Sequence, residues 1–280
     1  MANWGLNVAG KVALIAVAGK AILAAVRFFA GAVALLAVLI VRREPVVIVR
    51  ANLLPTCWLG IYAVCISYGY LHIGAAAGTF VFYAAVLLTL AVDDRLRGTL
   101  LPRRRLVGAG VALVGIGVLA SESVATVTPL GVALLVATGA AWGLYTAAGR
   151  GSPDPRATTT GNFALLAVVL LLPAGAGFAA DLRVTGEGLV WAVGMGAGTT
   201  AFAYVAWYAC QRVLTGSQAG LVQLVIPVLT TLGAVLLLGE PLSGRLLVAS
   251  ALVGAGMWCG QAVPGPAADA PAARTANLRP

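Results

Sequence analysis

The chain has 280 residues, 61% of them hydrophobic and 10% charged, with a mean hydropathy of +0.99 and a net charge of +9. A soluble domain is roughly half apolar and a quarter charged, so this composition leaves too little polar surface to face water all round. The positive charge does not point to a nucleic-acid partner, because the arginines sit in short segments between apolar runs, where they orient a membrane protein instead of forming a basic face.

Apolar runs follow one another along the whole chain, and at about 1.5 Å per helical residue most match a hydrocarbon core of about 30 Å. In lipid each backbone N–H and C=O must be satisfied within its own segment, so these runs are expected to be helices. The alternating pattern of an outer-membrane barrel is absent. The predicted spans are 2–18, 22–41, 52–71, 73–92, 106–121, 129–148, 161–180, 187–210, 216–238 and 244–263. The expected fold is therefore all-α, a polytopic membrane protein of ten helices. Residues 264–280, rich in Pro and Ala, read as a disordered cytoplasmic tail.

Charge orients this array. With the N-terminus inside, the inner segments carry Arg42, Arg43, Arg50, Arg95, Arg97, Arg103, Arg104, Arg105, Arg150, Arg156, Arg212, Arg274 and Arg279. The outer edges carry only Lys20, Arg183 and Arg245. That bias predicts a multi-pass protein of the cytoplasmic membrane with both termini in the cytoplasm. The four cysteines, Cys57, Cys65, Cys210 and Cys259, lie in or beside apolar runs without metal or redox spacing, so neither metal nor cofactor is expected.

The string LVGAG occurs at 106–110 and again at 252–256. At the same offset Gly98 falls on Gly244, Asp94 on Glu240 and Gly74 on Gly220, while Trp4-Gly5 resembles Trp142-Gly143 at a slightly shorter one. Two five-helix repeats are implied, 1–121 and 128–263. Because five is odd, the second enters the bilayer inverted, an architecture of many secondary transporters. Trp142 has a longer apolar lead-in than Trp4. Either the first helix is shortened or the native start lies upstream of Met1, and the second reading is preferred.

These residues resemble the EamA family of the drug/metabolite transporter superfamily. The match runs through Trp4-Gly5, Val26-Arg27-Phe28, Gly74-Ala75-Ala76-Ala77-Gly78 and Trp142-Gly143 to the stretch 207–256, with Pro227, Gly239-Glu240-Pro241-Leu242 and Gly254. The resemblance implies ten helices around a central cavity, alternating access, and a small-molecule substrate such as an amino acid or related metabolite. Two positions depart from the family pattern: Val81 stands where Pro227 has its counterpart, and Asp93-Asp94-Arg95 replaces an acidic-Arg motif with Glu. A less bent fourth helix is expected.

Candidate cavity residues are Trp4, Asn7, Lys11, Tyr68, Tyr83, Trp142, Tyr145, Tyr204, Trp207 and Gln223. Aromatics with a few amides suit a small amphipathic or zwitterionic solute. Lys11 and Arg27 are the ionisable groups within spans; Lys11 either meets a substrate carboxylate or snorkels to the interface. Gly74, Gly78, Gly216, Gly220 and Pro227 are candidate packing and hinge positions, since glycines four apart share a helix face and an internal proline removes a backbone hydrogen bond. A membrane enzyme or a non-transporting subunit is the competing reading. One His and few acids offer little material for catalysis.

Overall fold

The computed structural model describes residues 25–45, 50–99, 101–121, 127–173, 186–238 and 243–261. The expectations for Trp4, Asn7, Lys11, Glu240 and the tail lie outside these residues. Everything regular among the described residues is helical apart from one isolated bridge between Ile73 and Val127. The helices are α1 (Ala25–Val41), α2 (Leu53–His72), α3 (Ala75–Leu96), α4 (Arg103–Ala120), α5 (Pro129–Gly149), α6 (Pro155–Pro173), α7 (Gly186–Gly194), α8 (Ala201–Gln211), α9 (Gly216–Gln223), α10 (Val225–Leu238) and α11 (Gly244–Gln261). A π-helical turn, Met195–Thr200, joins α7 to α8. Among the described residues, four runs are long and apolar enough to cross a bilayer: Arg50–His72, Ala77–Leu96, Pro129–Gly149 and Leu189–Gln211. Ala25–Val41, Gly216–Leu229 and Gly244–Gly260 are shorter apolar helices.

Local sequence sets the helix ends. Thr128 caps α5 by accepting from Gly131 N at 3.1 Å, with Pro129 following in the first turn, where a missing N–H costs nothing. Asp154 accepts from Arg156 N and Ala157 N at the start of α6. Thr215 and Gln218 form a reciprocal capping box on α9. At the end of α3, Gly98 takes φ 73°, and Thr99 N reaches back to Asp94 O at 2.9 Å. That left-handed cap favours glycine.

Pro227 explains the break between α9 and α10. It cannot donate to the Gln223 carbonyl and its ring crowds that group, so the helix is interrupted at Leu224. α3, with Val81 at the equivalent place, runs unbroken. The departure from the family pattern thus has a visible backbone consequence.

Close approach of backbones decides the packing. Gly108 in α4 lies against the Gly256 carbonyl and Gly260 of α11, and Gly115 against Ala249, Leu252 and Val253. As the number rises on one helix it falls on the other, so the two helices that carry LVGAG cross antiparallel. α3 and α9 are antiparallel too: Leu87 and Leu90 lie against Gly220, and Asp94 against Gly216. Gly139 and Gly143 seat α5 parallel to α3, beside Ala85, Val86 and Thr89. Gly74 is the residue before α3 and Gly216 the first residue of α9. The Gly74/Gly78 and Gly216/Gly220 pairs therefore sit at helix starts and not mid-helix. Gly78 still packs tightly, under Leu135 and Tyr70.

The outer faces are apolar. Leu88, Val190, Trp191, Leu236 and Trp258 are each at least 66% exposed, a surface that suits lipid tails and not water.

Candidate functional site

Two centres stand out, one aromatic and one polar, the second at the arginine-rich helix ends.

The first is a connected set of rings. Tyr62 of α2 lies 4.9 Å from Trp142 of α5, centroid to centroid. Trp142 stacks on Tyr145 at 5.7 Å and meets Tyr204 of α8 edge-on at 5.4 Å. Tyr204 in turn meets Phe163 of α6 at 5.1 Å and Phe28 of α1 at 6.4 Å. Tyr145 and Tyr208 are fully buried, with centroids 4.8 Å apart. Tyr62, Trp142 and Trp207 each pack against both of the protein's main apolar clusters, so they occupy the seam between them.

Hydrogen bonds fix several of these rings. Trp142 Nε1 donates to Gln223 Oε1, and Gln223 Nε2 donates to the Ala219 carbonyl at 3.1 Å. The amide that orients Trp142 thus stands at the α9–α10 break. Trp207 Nε1 donates to Thr146 Oγ1 at 3.1 Å, and Tyr208 Oη to the Tyr145 carbonyl at 3.2 Å. Asn162 Nδ2 reaches Tyr208 Oη at 3.5 Å and its Oδ1 accepts from Asn52 Nδ2 at 2.8 Å, tying α6 to the start of α2.

Of the sequence-expected cavity residues, Trp142, Tyr145, Tyr204, Trp207 and Gln223 come together here. Tyr83 is buried and joins through Phe82, which lies 6.3 Å from Tyr62. Tyr68, half-buried on α2, takes part in none of these ring contacts. Sequence reasoning missed Tyr62, Phe28 and Phe163. Phe28 was visible in the Val26-Arg27-Phe28 motif, but nothing in the spacing of Tyr62 or Phe163 separates them from lipid-facing aromatics.

The second centre is polar. Asp94, fully buried at the end of α3, accepts from Gly216 N at 2.8 Å and Ser217 N at 2.7 Å. Its carboxylate sits on the first turn of α9, where unpaired N–H groups and the helix dipole both favour an anion. Arg150 at the end of α5 forms ion pairs with Asp94 at 2.8 Å and Asp93 at 2.6 Å. Arg105 of α4, also buried, donates to Thr215 Oγ1 at 3.2 Å and Ser217 Oγ at 2.9 Å. Four helix ends are joined through these groups. Counting Arg105 and Arg150 only as topology-setting charges therefore understates them: both are built into the packing. The Asp93-Asp94 pair binds arginine, and no metal-ligand cluster occurs among the described residues.

Residues 129–259 match the model of the EamA-like transporter family. An uncharacterized protein of Pseudomonas aeruginosa is 41% identical over 225 residues, 79% of this chain and 77% of that protein. A protein of Archaeoglobus fulgidus described as an uncharacterized transporter is 27% identical over 206 residues, covering 71% of this chain and 72% of its own length.

The chain belongs to the EamA-like transporter family.

A protein of solved crystal structure shares the fold of this EamA-like chain, with a TM-score of 0.76 at 22% identity over 87% of each chain. Membership supplies the setting, a membrane and a small solute to be moved through it. In the aromatic seam of this EamA-like protein, rings from α1, α2, α5, α6 and α8 meet.

Proposed function

We propose that the chain is a secondary transporter that exports amino acids or related small metabolites by alternating access, with Trp142, Tyr145, Tyr204, Trp207 and Gln223 lining the solute path. The two halves, 1–121 and 128–263, are inverted repeats in the cytoplasmic membrane with both termini inside. The observation that carries this reading is the antiparallel crossing of helices that match in sequence, α3 with α9 and α4 with α11. A two-fold axis in the membrane plane produces such pairs, and exchange of conformation between the halves then opens the path to one face and the other. The break at Leu224 gives α9 a hinge, and Gln223 at that break carries the motion to Trp142.

The test is flux in proteoliposomes loaded with a panel of amino acids and other small metabolites. Trp207→Ala removes a ring that packs against both apolar clusters, and Tyr204→Ala removes the ring that links Phe28 and Phe163 to Trp142. Each is expected to lower the flux of a transported solute by about tenfold or more, the equivalent of about 1.4 kcal/mol, with normal insertion and elution. Variants that insert normally and transport like the parent would remove the aromatic seam from the path.

A further inference from the structure

Arg27 stands at the edge of the aromatic seam, on the third described residue of α1. Its guanidinium carbon is 5.0 Å from the centroid of the Phe28 ring. Its backbone carbonyl is pressed against Gly196 in the π-helical turn before α8, so close that no side chain fits at Gly196. π-helical turns of this kind are frequent at functional sites.

Among the described residues no anion faces Arg27. Its Nε is buried and has no hydrogen-bond partner. None of the ion pairs among the described residues includes it: Asp93 and Asp94 are engaged with Arg97 and Arg150, and Glu44 with Arg156. Asp154 caps α6, and Glu187 is exposed at the start of α7. A guanidinium inside a membrane-spanning region without a counter-charge is costly, and such residues mark ligand paths. Ring faces lower the cost only in part.

We propose that Arg27 is the anion receptor of the aromatic seam and that the preferred solute is a net-anionic monocarboxylate with an apolar or aromatic body. The inference rests on the transport reading and narrows its solutes, from amino acids or related small metabolites to the anionic metabolites among them. The planar guanidinium matches a carboxylate through two parallel N–H···O bonds, which would satisfy the orphan Nε. The solute's body lies among Phe28, Tyr62, Trp142 and Tyr204, whose rings supply apolar faces. A zwitterion fits less well, because no described carboxylate reaches the seam to receive its ammonium, and that ammonium would lie beside Arg27. A cation fits least.

Four related probes separate these cases: 3-phenylpropanoate, phenylalanine, 2-phenylethylamine and 3-phenylpropan-1-ol. Binding to the purified full chain is measured by tryptophan fluorescence, and movement by flux in proteoliposomes. The wild type is expected to bind 3-phenylpropanoate about tenfold more tightly than phenylalanine or the alcohol, with the amine weakest. Arg27→Gln is expected to lose about tenfold in affinity for the carboxylate and less than about threefold for the alcohol, and Arg27→Lys to keep part of the preference. A wild type that binds none of the four overturns the assignment. So does one that holds the zwitterion or amine as tightly as the anion, or a normally eluting Arg27→Gln that keeps its carboxylate affinity. Where the charge preference holds but no solute crosses the bilayer, the transport reading fails and Arg27 stands. Where solutes cross with no dependence on Arg27, the assignment fails and transport stands.

Discussion

Replacing Asp94 by alanine is expected to cost about 3 to 5 kcal/mol of stability, the penalty for breaking a buried ion pair by removing one partner. Asp94 has no exposed side-chain surface, and Arg150 is only 12% exposed. The substitution strands that guanidinium, leaving it Asp93 alone, and uncovers the N–H groups of Gly216 and Ser217 at the start of α9. Asp94→Asn keeps the shape and one accepting oxygen but not the charge, so it should fall between the two. A thermal melt in detergent followed by size-exclusion elution measures both variants. Gly216→Ala belongs to the same experiment, because a Cβ there would collide with the Arg150 guanidinium and lie 2.8 Å from Asp94 Oδ1. An Asp94→Ala protein that melts with the parent would mean that α9 is held by something other than this carboxylate.

The second large effect is expected at the crossing of α4 and α11. A Cβ on Gly108 would meet the Gly256 carbonyl and the backbone of Gly260, and a Cβ on Gly256 would meet the Gly108 carbonyl. The obstructing atoms are backbone, so a rotamer change cannot relieve the clash and the helices must separate. Gly108→Val and Gly256→Val should each cost about 3 kcal/mol or more, at the upper end of what overpacking does. Gly110→Val and Gly254→Val supply the control. Nothing lies within 4 Å of a Cβ at either position, so both should be close to neutral. The four variants ask whether the repeated string is used for packing, and through which glycine of each copy. Equal destabilisation at all four positions would reject this crossing geometry.

These two regions also mark how far the sequence could be read. The all-helical architecture was legible because hydrocarbon thickness and backbone satisfaction leave no other solution for long apolar runs. The repeated LVGAG located the paired helices α4 and α11, yet it did not tell which glycine packs. Gly108 uses the first glycine of its copy and Gly256 the second of the other, a choice made by helix phase at the crossing and not by the string itself. Pro227 announced the α9–α10 break, because a missing N–H has the same local consequence in any context.

The candidate site was less legible. Trp142 and Tyr145 could be paired by their three-residue spacing and Tyr204 with Trp207 likewise, but Tyr62 and Phe163 reach them only through tertiary packing. Arginines at helix ends hide their roles for a related reason. Arg105 and Arg150 look like topology charges in sequence, and only the approach of α9 makes them buried partners. Arg27 was visible as a charge inside an apolar run; that its Nε is buried without a hydrogen bond could be seen only once the neighbouring helices were in place.

Alternating exposure of the aromatic seam is the claim that a single measurement reaches most directly. In a background with Cys57, Cys65, Cys210 and Cys259 replaced by alanine, Tyr204→Cys places one thiol among Phe28, Trp142 and Phe163. Membrane-impermeant thiol reagent is then applied from either face of oriented membrane vesicles. Labelling from both faces, with rates that shift in opposite directions when solute is supplied on one side, is the predicted result. A thiol reached from one face only, or from neither, would contradict a solute path through this seam.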